Sequence, residues 1–288
     1  MLPVGYPGDV GDSGVAGRDQ TMLKELTLTG EVDKVKLAIN RLRLHEPPDG
    51  YYVAFSGGKD SCVILDLCKR AGVKYDAHYS LTTVDPPELV RFIQHEYPDA
   101  WDGRNKPEKT MWQLIVRNGI FPTRLARYCC RILKEGGGFG RTVVTGIRWQ
   151  ESSRRAKRKL SEPCQKNGGE HIHPIIDWSE SDVWEYIRAY HIPYCSLYDE
   201  GFKRLGCVFC PFGTKKEKEM WAVRYPRIKQ CYIKAMDRAI FKRKIDGKKC
   251  IFNTGKESFD WWISGAKMED QDAPTISLWG VIGDESYL

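Results

Sequence analysis

The chain lacks any apolar run approaching the roughly 18 residues of a membrane span, so no transmembrane helix is expected in its 288 residues. It also lacks a secretory hydrophobic region. The opening MLPVGYPGDVGDSGVAGRDQ is rich in Gly and Asp and has no basic n-region. Residues 1–20 are therefore expected to be a flexible leader, and the protein cytoplasmic. No internal repeat or further low-complexity tract follows. A Walker A loop is absent too: NTGKES (253–258) has Cys250 where the first Gly should stand. Charge is not strongly of one sign; the net +7 is mild and points to anionic partners such as nucleotides, sulfate or nucleic acid. The 10 cysteines, without a signal peptide, argue against a disulfide scaffold. In a reducing compartment clustered cysteines bind metal or do redox chemistry.

Residues 22–46 read as an amphipathic helix leading into the core. YYVAF (51–55) reads as a buried strand, CVILDLCKRAG as a helix closed by Gly72, and YDAHYSL (75–81) as the next strand. PELVRFIQHEY (87–97) is a helix with Pro87 in its first turn. RTVVTGI (141–147) and HPIIDW (173–178) read as further strands. SESDVWEYIRAY (179–190) is a helix capped by Ser179, with Asp182 three residues on. Strands alternating with helices imply an α/β fold, a parallel twisted sheet with flanking helices in the Rossmann manner. Composition shifts near residue 214. Residues 21–214 are expected to form the nucleotide-binding domain, and 215–288 a basic, mainly helical C-terminal extension.

SGGKDS (56–61) sits at a strand-to-helix corner. Two glycines let backbone N–H groups approach an anion closely, and the helix N-terminus adds partial positive charge. Ser56 and Ser61 add hydroxyls and Lys59 a full charge. Cys207 and Cys210 form a C-x-x-C; Cys129 and Cys130 are adjacent upstream. Four thiolates in two groups suit zinc, an iron–sulfur cluster, or buried free thiols. Cys62 and Cys68 read as packing residues, and Cys164, Cys195 and Cys231 as incidental. ESSRRAKRKL (151–160) concentrates cations that suit oxyanions or form a solvated loop. His171 and His173 form an H-x-H with no third ligand at useful spacing. KQCYIKAMDRAIFKRKIDGKK (229–249) interleaves cations and aromatics, a pattern of nucleic-acid binding or of a solvated amphipathic helix.

SGGKDS resembles the pyrophosphate-binding loop of the ATP pyrophosphatases, the adenine nucleotide alpha hydrolase superfamily. TTVDPPELVRFI (82–93), FPTRLARYCCRILK (121–134), TGIRWQESSRRA (145–156) and the block 173–211 resemble, in order, the phosphoadenosine phosphosulfate (PAPS) reductase branch. The resemblance runs from about residue 51 to 213. It implies nucleotide binding by Ser56, Gly57, Gly58, Lys59, Asp60, Ser61, Asp85, Gly146, Arg148 and Arg155, with Lys59, Asp60 and Arg148 catalytic. It further implies that Arg124, Arg127, Arg131 and Lys134 face the substrate anion. Cys129, Cys130, Cys207 and Cys210 resemble the 4Fe–4S ligand set of the adenylyl-sulfate reductases.

The reductases of this branch attack sulfur with a Cys on a C-terminal tail. The last residues here, APTISLWGVIGDESYL, contain none, and Cys250 lacks the surrounding context. Reductases also often degrade the phosphate loop, which is complete here. Both departures imply Mg²⁺-ATP cleaved to AMP and pyrophosphate, coupled to sulfur transfer as in DNA phosphorothioation. Partners expected on this basis are an adenine nucleotide, DNA or RNA, and a sulfur-donor or thioredoxin-like protein. PAPS or adenylyl-sulfate reduction and non-catalytic nucleotide sensing are the alternatives.

Overall fold

The computed structural model describes residues 23–27, 30–101, 107–164 and 168–265. The expected leader (1–20) and the cysteine-free tail (273–288) lie outside the described residues.

The stretch before the core is not one helix. Lys24–Thr27 (β1) and Gly30–Asp33 (β2) pair antiparallel, Lys24 opposite Asp33, and only Lys34–Leu44 (α1) is helical. The Thr and Val content of LTLTGEV favours extended backbone. Asp33 then starts the helix by accepting the Lys36 N–H at 2.9 Å.

Tyr51–Phe55 (β3) runs through the turn into Lys59–Ala71 (α2), which ends on left-handed Gly72. Tyr75–Tyr79 (β4), Pro87–Glu96 (α3), Met111–Asn118 (α4), Tyr128–Leu133 (α5) and Thr142–Val144 (β5) follow. A hairpin of Ser161–Cys164 (β6) and Gly169–Ile172 (β7) precedes Glu180–Ala189 (α6). The central sheet has the order β4-β3-β5-β7-β6, parallel except for the antiparallel edge strand β6. The α/β expectation holds. Helix α2 packs against both α1 and α6, with Leu42, Leu67, Val183 and Ile187 among their buried residues.

HPIIDW is not a strand. Pro174 cannot donate to a ladder, so the sheet ends at Ile172. Residues 173–178 instead turn, with Ile176 N–H on His173 O and Trp178 N–H on Ile175 O. The apolar pair Ile175 and Ile176 is buried in that turn.

Lys215–Arg224 (α7), Pro226–Ile245 (α8) and Gly255–Ser264 (α9) follow. They are joined to the preceding chain by an aromatic cluster: Phe209, fully buried, packs edge-on to Tyr232 at 5.4 Å and Phe259 at 5.2 Å. Trp262 Nε1–H donates to Pro122 O at 2.9 Å. Among the described residues no helix is long and apolar enough to cross a membrane.

Candidate nucleotide and cysteine site

The turn between β3 and α2 lies at the carboxyl end of a central parallel strand, where open α/β sheets bind ligands. Gly57 has φ +69, and a Cβ there would lie 2.6 Å from Ile93 and 2.8 Å from Leu89 of α3. Only glycine both accepts that conformation and lets the turn sit against α3. Hydroxyls take up the turn's donors. Ser56 N–H points to Ser61 Oγ at 3.3 Å, and Gly58 N–H to Ser56 Oγ at 3.4 Å. Lys59 N–H donates to Tyr198 Oη at 2.9 Å.

Lys59 is 5% exposed, with its ammonium 3.5 Å from Asp60, 3.7 Å from Glu180 and over the Tyr198 ring. Arg148, 3% exposed, donates Nε–H to Asp60 Oδ1 at 2.7 Å. The loop after β5 therefore meets the first turn of α2 through an ion pair. Gly146 makes this approach possible, since a Cβ there would lie 2.9–3.0 Å from Asp60. Glu151 accepts the Arg148 N–H at 2.9 Å and pairs with Arg155, so Arg155 is tied into the same loop.

Asp85 accepts the Thr82 N–H at 2.7 Å on the strand end that follows β4. Its charge acts on Lys134 and Cys207. Thr83 beside it is left-handed at φ +67, and its Oγ1 accepts the Met111 N–H that opens α4.

The two cysteine groups come into one neighbourhood: the charges of Cys130, Cys207 and Cys210 all act on Cys129. The Cys129 thiol donates to Cys130, which holds the Cys129 thiol well above its usual range and favours Cys130 as thiolate, with Arg127 and Lys134 adding to that preference. Cys207 Sγ lies 3.3 Å from Thr82 Oγ1. The Cys207 and Asp85 charges hold Lys134 protonated. Phe209, inside the C-x-x-C, is left-handed at φ +59, a strained conformation for a bulky residue. The aromatic cluster clamps it, and Tyr232 Oη donates to Val208 O at 3.1 Å.

Among the described residues no three His, Cys, Asp or Glu side chains converge on one metal-ion position. A tetrahedral zinc, with all sulfurs about 2.3 Å from one ion, has no ready cage. A cluster spreads its thiolates over several irons, and four unbridged thiols, three of them acting on Cys129, with Lys134 and Arg127 beside them suit that donor chemistry.

Of the expected anion-facing residues, Arg127 pairs with Glu135 at 3.1 Å, stacks over Phe212, and leaves its Nε without a partner. Arg124 donates to Pro211 O at 3.2 Å. Arg131 is exposed on α5. Sequence reasoning missed Tyr198, Glu151 and Lys218. Lys218 on α7 is 8% exposed over the Trp262 ring, with burial pushing its pKa down. Tyr198 had no local signal, being 139 positions from its partner.

His171 and His173 do not form a metal centre among the described residues. His173 is fully buried, with Nδ1 2.8 Å from Thr145 Oγ1 and Nε2 unpartnered. Burial, with neighbouring His171, pushes its pKa down to about 4. The unfolded chain takes up this proton near pH 6.5, so stability is present above that pH and is lost as pH falls from about 6.5 toward 4. The full loss is about 3 kcal/mol. Urea midpoints at pH 7 and 4.5 should differ less for His173→Gln than for the parent; an equal difference would mean that His173 is not the titrating group.

Residues 50–212 match the family described as the phosphoadenosine phosphosulfate reductase domain. An adenosine 5'-phosphosulfate reductase of Allochromatium vinosum is 27% identical over 202 residues, 64% of this chain and 78% of that protein. One from Neisseria meningitidis serogroup A is 36% identical over 186 residues, 60% and 76% of the two chains. An uncharacterized protein of Methanocaldococcus jannaschii is 29% identical over 194 residues, of which this chain spans 44%. With the domain match covering more than half of its length, this chain belongs to the phosphoadenosine phosphosulfate reductase domain family.

Proposed function

We propose that the protein is an adenylating sulfur-transfer enzyme that binds Mg²⁺-ATP at Ser56–Ser61. The observation that carries this reading is the complete SGGKDS turn, whose N–H donors are aimed at hydroxyl oxygens. A phosphate oxygen offers the same acceptor with more charge, and the hydroxyls of Ser56, Ser61 and Tyr198 then become donors to it.

An acceptor oxygen attacks the α-phosphorus, the bond to the β-phosphate oxygen breaks, and pyrophosphate leaves. A sulfur nucleophile then bonds to the acceptor atom and AMP departs with the oxygen. Lys59 stabilises charge growing on the leaving phosphates, and Arg148, aligned by Asp60, does so at the α-phosphate. Both cations are buried, which strengthens their effect. Arg155, tied into the same loop through Glu151, would reach the nucleotide, and Asp85 would be the carboxylate available to Mg²⁺ entering with ATP. Cys129, Cys130, Cys207 and Cys210 would hold a 4Fe–4S cluster, which supplies redox or sulfur-handling capacity when bound. Arg124, Arg127, Arg131 and Lys134 form the basic fringe on that side. A polynucleotide acceptor, DNA or RNA, suits the net charge of +7, and a sulfur-donor protein completes the cycle.

A second reading, reduction of a sulfonucleotide to sulfite with a thioredoxin-like donor, is favoured by the relatives, which are named adenosine 5'-phosphosulfate reductases. One anaerobic preparation separates the two. Pyrophosphate released from ATP in the presence of an acceptor is expected. Sulfite released from PAPS or adenylyl sulfate with reductant establishes the second reading instead, and nucleotide binding without either product leaves a sensor.

A further inference from the structure

Helix α8 carries seven basic residues and one acid in its 20. The acid, Asp237, is turned toward α9, where Oδ1 accepts the Gly255 N–H at 2.6 Å. Elsewhere α8 packs against α4, and a groove of about 520 Å³ runs where they meet. Arg117 of α4 and Lys234, Arg238 and Lys242 of α8 line it beside Trp112, and no acid does. All four cations are exposed, and none has an acidic partner among the described residues. Other exposed cations do: Arg224 pairs with Glu88 and Glu200, and Lys256 with Asp260.

Lys234, Arg238 and Lys242 recur every fourth residue, so their Cα atoms advance about 6 Å per step along one helix face. Such a row repels itself and is best neutralised by an anion whose charges are also strung in a row. A free phosphate or nucleotide is too short to meet all four. An acidic peptide meets the charges but has no use for an indole, whereas Trp112 offers an unpaired base a stacking surface.

We propose that the α4–α8 groove binds the phosphodiester backbone of a single-stranded nucleic acid. This rests on, and gives a surface to, the polynucleotide-acceptor reading above.

The test is fluorescence anisotropy of a labelled DNA strand of about 20 nucleotides, long enough to overrun one such site, with the full chain. Four neutralised phosphates predict a log–log salt slope near −3, and about 50-fold weaker binding between about 50 and about 200 mM salt. The double variant Lys234→Ala/Arg238→Ala, exposed on both counts, should roughly halve that slope. Its pyrophosphate release from ATP with a small nucleophile as acceptor should be unchanged. Gly57→Val should abolish that release while leaving strand binding intact. Parental affinity and slope in the double variant would overturn the groove assignment while leaving the catalytic reading standing. So would a failure of the parent to bind at about 50 mM salt, or equal competition by polyglutamate. Strand binding in the absence of any ATP turnover would sink the catalytic reading alone.

Discussion

Asp60→Asn is expected to be among the most damaging single substitutions in this chain. Asp60 is the shared counter-charge of Arg148 and Lys59, which are 3% and 5% exposed. Removing one partner of a buried pair leaves the other charge uncompensated, at a cost of about 3–5 kcal/mol. Asp60 itself is partly exposed, with a side chain at 23%, so the lower end applies: about 3 kcal/mol. Turnover of nucleotide should fall by at least ~10²-fold even where the variant is fully folded, because Arg148 loses the group that aims it. Thermal melts followed by pyrophosphate assay below the melting range check both parts. Arg148→Lys keeps the charge but loses the planar fork, so it should be better folded than Asp60→Asn yet nearly as slow. Parental turnover in Asp60→Asn would remove the ion pair from the account of the site.

The cysteines carry the second large effect. Chain purified without oxygen is expected to retain iron and inorganic sulfide and to be brown. Cys130→Ala and Cys207→Ala should each lose essentially all of that iron, since each removes one of the four thiols that share a neighbourhood. Cys231→Ala is the control: Cys231 is exposed on α8 and lines the α4–α8 groove, and its loss should leave iron content unchanged. Full iron in both Cys130→Ala and Cys207→Ala would show the ligand assignment to be wrong.

Much of the α/β part of the fold is legible because its signals are local. The strand Tyr51–Phe55, the glycine turn and the helix closed by Gly72 follow each other in one short stretch, each marked by its own residues. The capping box of Ser179 and Asp182 is equally local. The misreadings share a different cause. The apolar run Ile175–Ile176 looks like a strand, but Pro174 forces a turn, and the edge pairing falls to the polar segments Ser161–Cys164 and Gly169–Ile172. Strand propensity is weak evidence where a neighbouring strand supplies the hydrogen bonds. In the same way, Lys24–Thr27 and Gly30–Asp33 pair as a ribbon despite a helical apolar pattern.

At the site, residue types were readable and partners were not. Lys59 was legible as a cation at the turn, but not its burial against Glu180 and Tyr198. The proximity of Cys129–Cys130 to Cys207–Cys210 came from a resemblance, since nothing in their spacing requires it. The role of the C-terminal helices was hidden for a further reason. Their composition reads as basic and solvated, yet Tyr232, Phe259 and Trp262 are buried and hold Phe209 in its left-handed conformation. Aromatic residues dispersed through a lysine-rich segment give no hint of which turn they clamp.

The central claim is that the phosphates of an adenine nucleotide rest on the bend between Phe55 and Lys59. Equilibrium binding of labelled ATP to the parent and to Gly57→Val tests it most directly, because the added side chain would meet Ile93 and Leu89 and force the bend out of shape. Saturation at one ATP per chain in the parent, with binding lost in a variant that still melts cooperatively, is the predicted result. Equal affinity in the two proteins would contradict it.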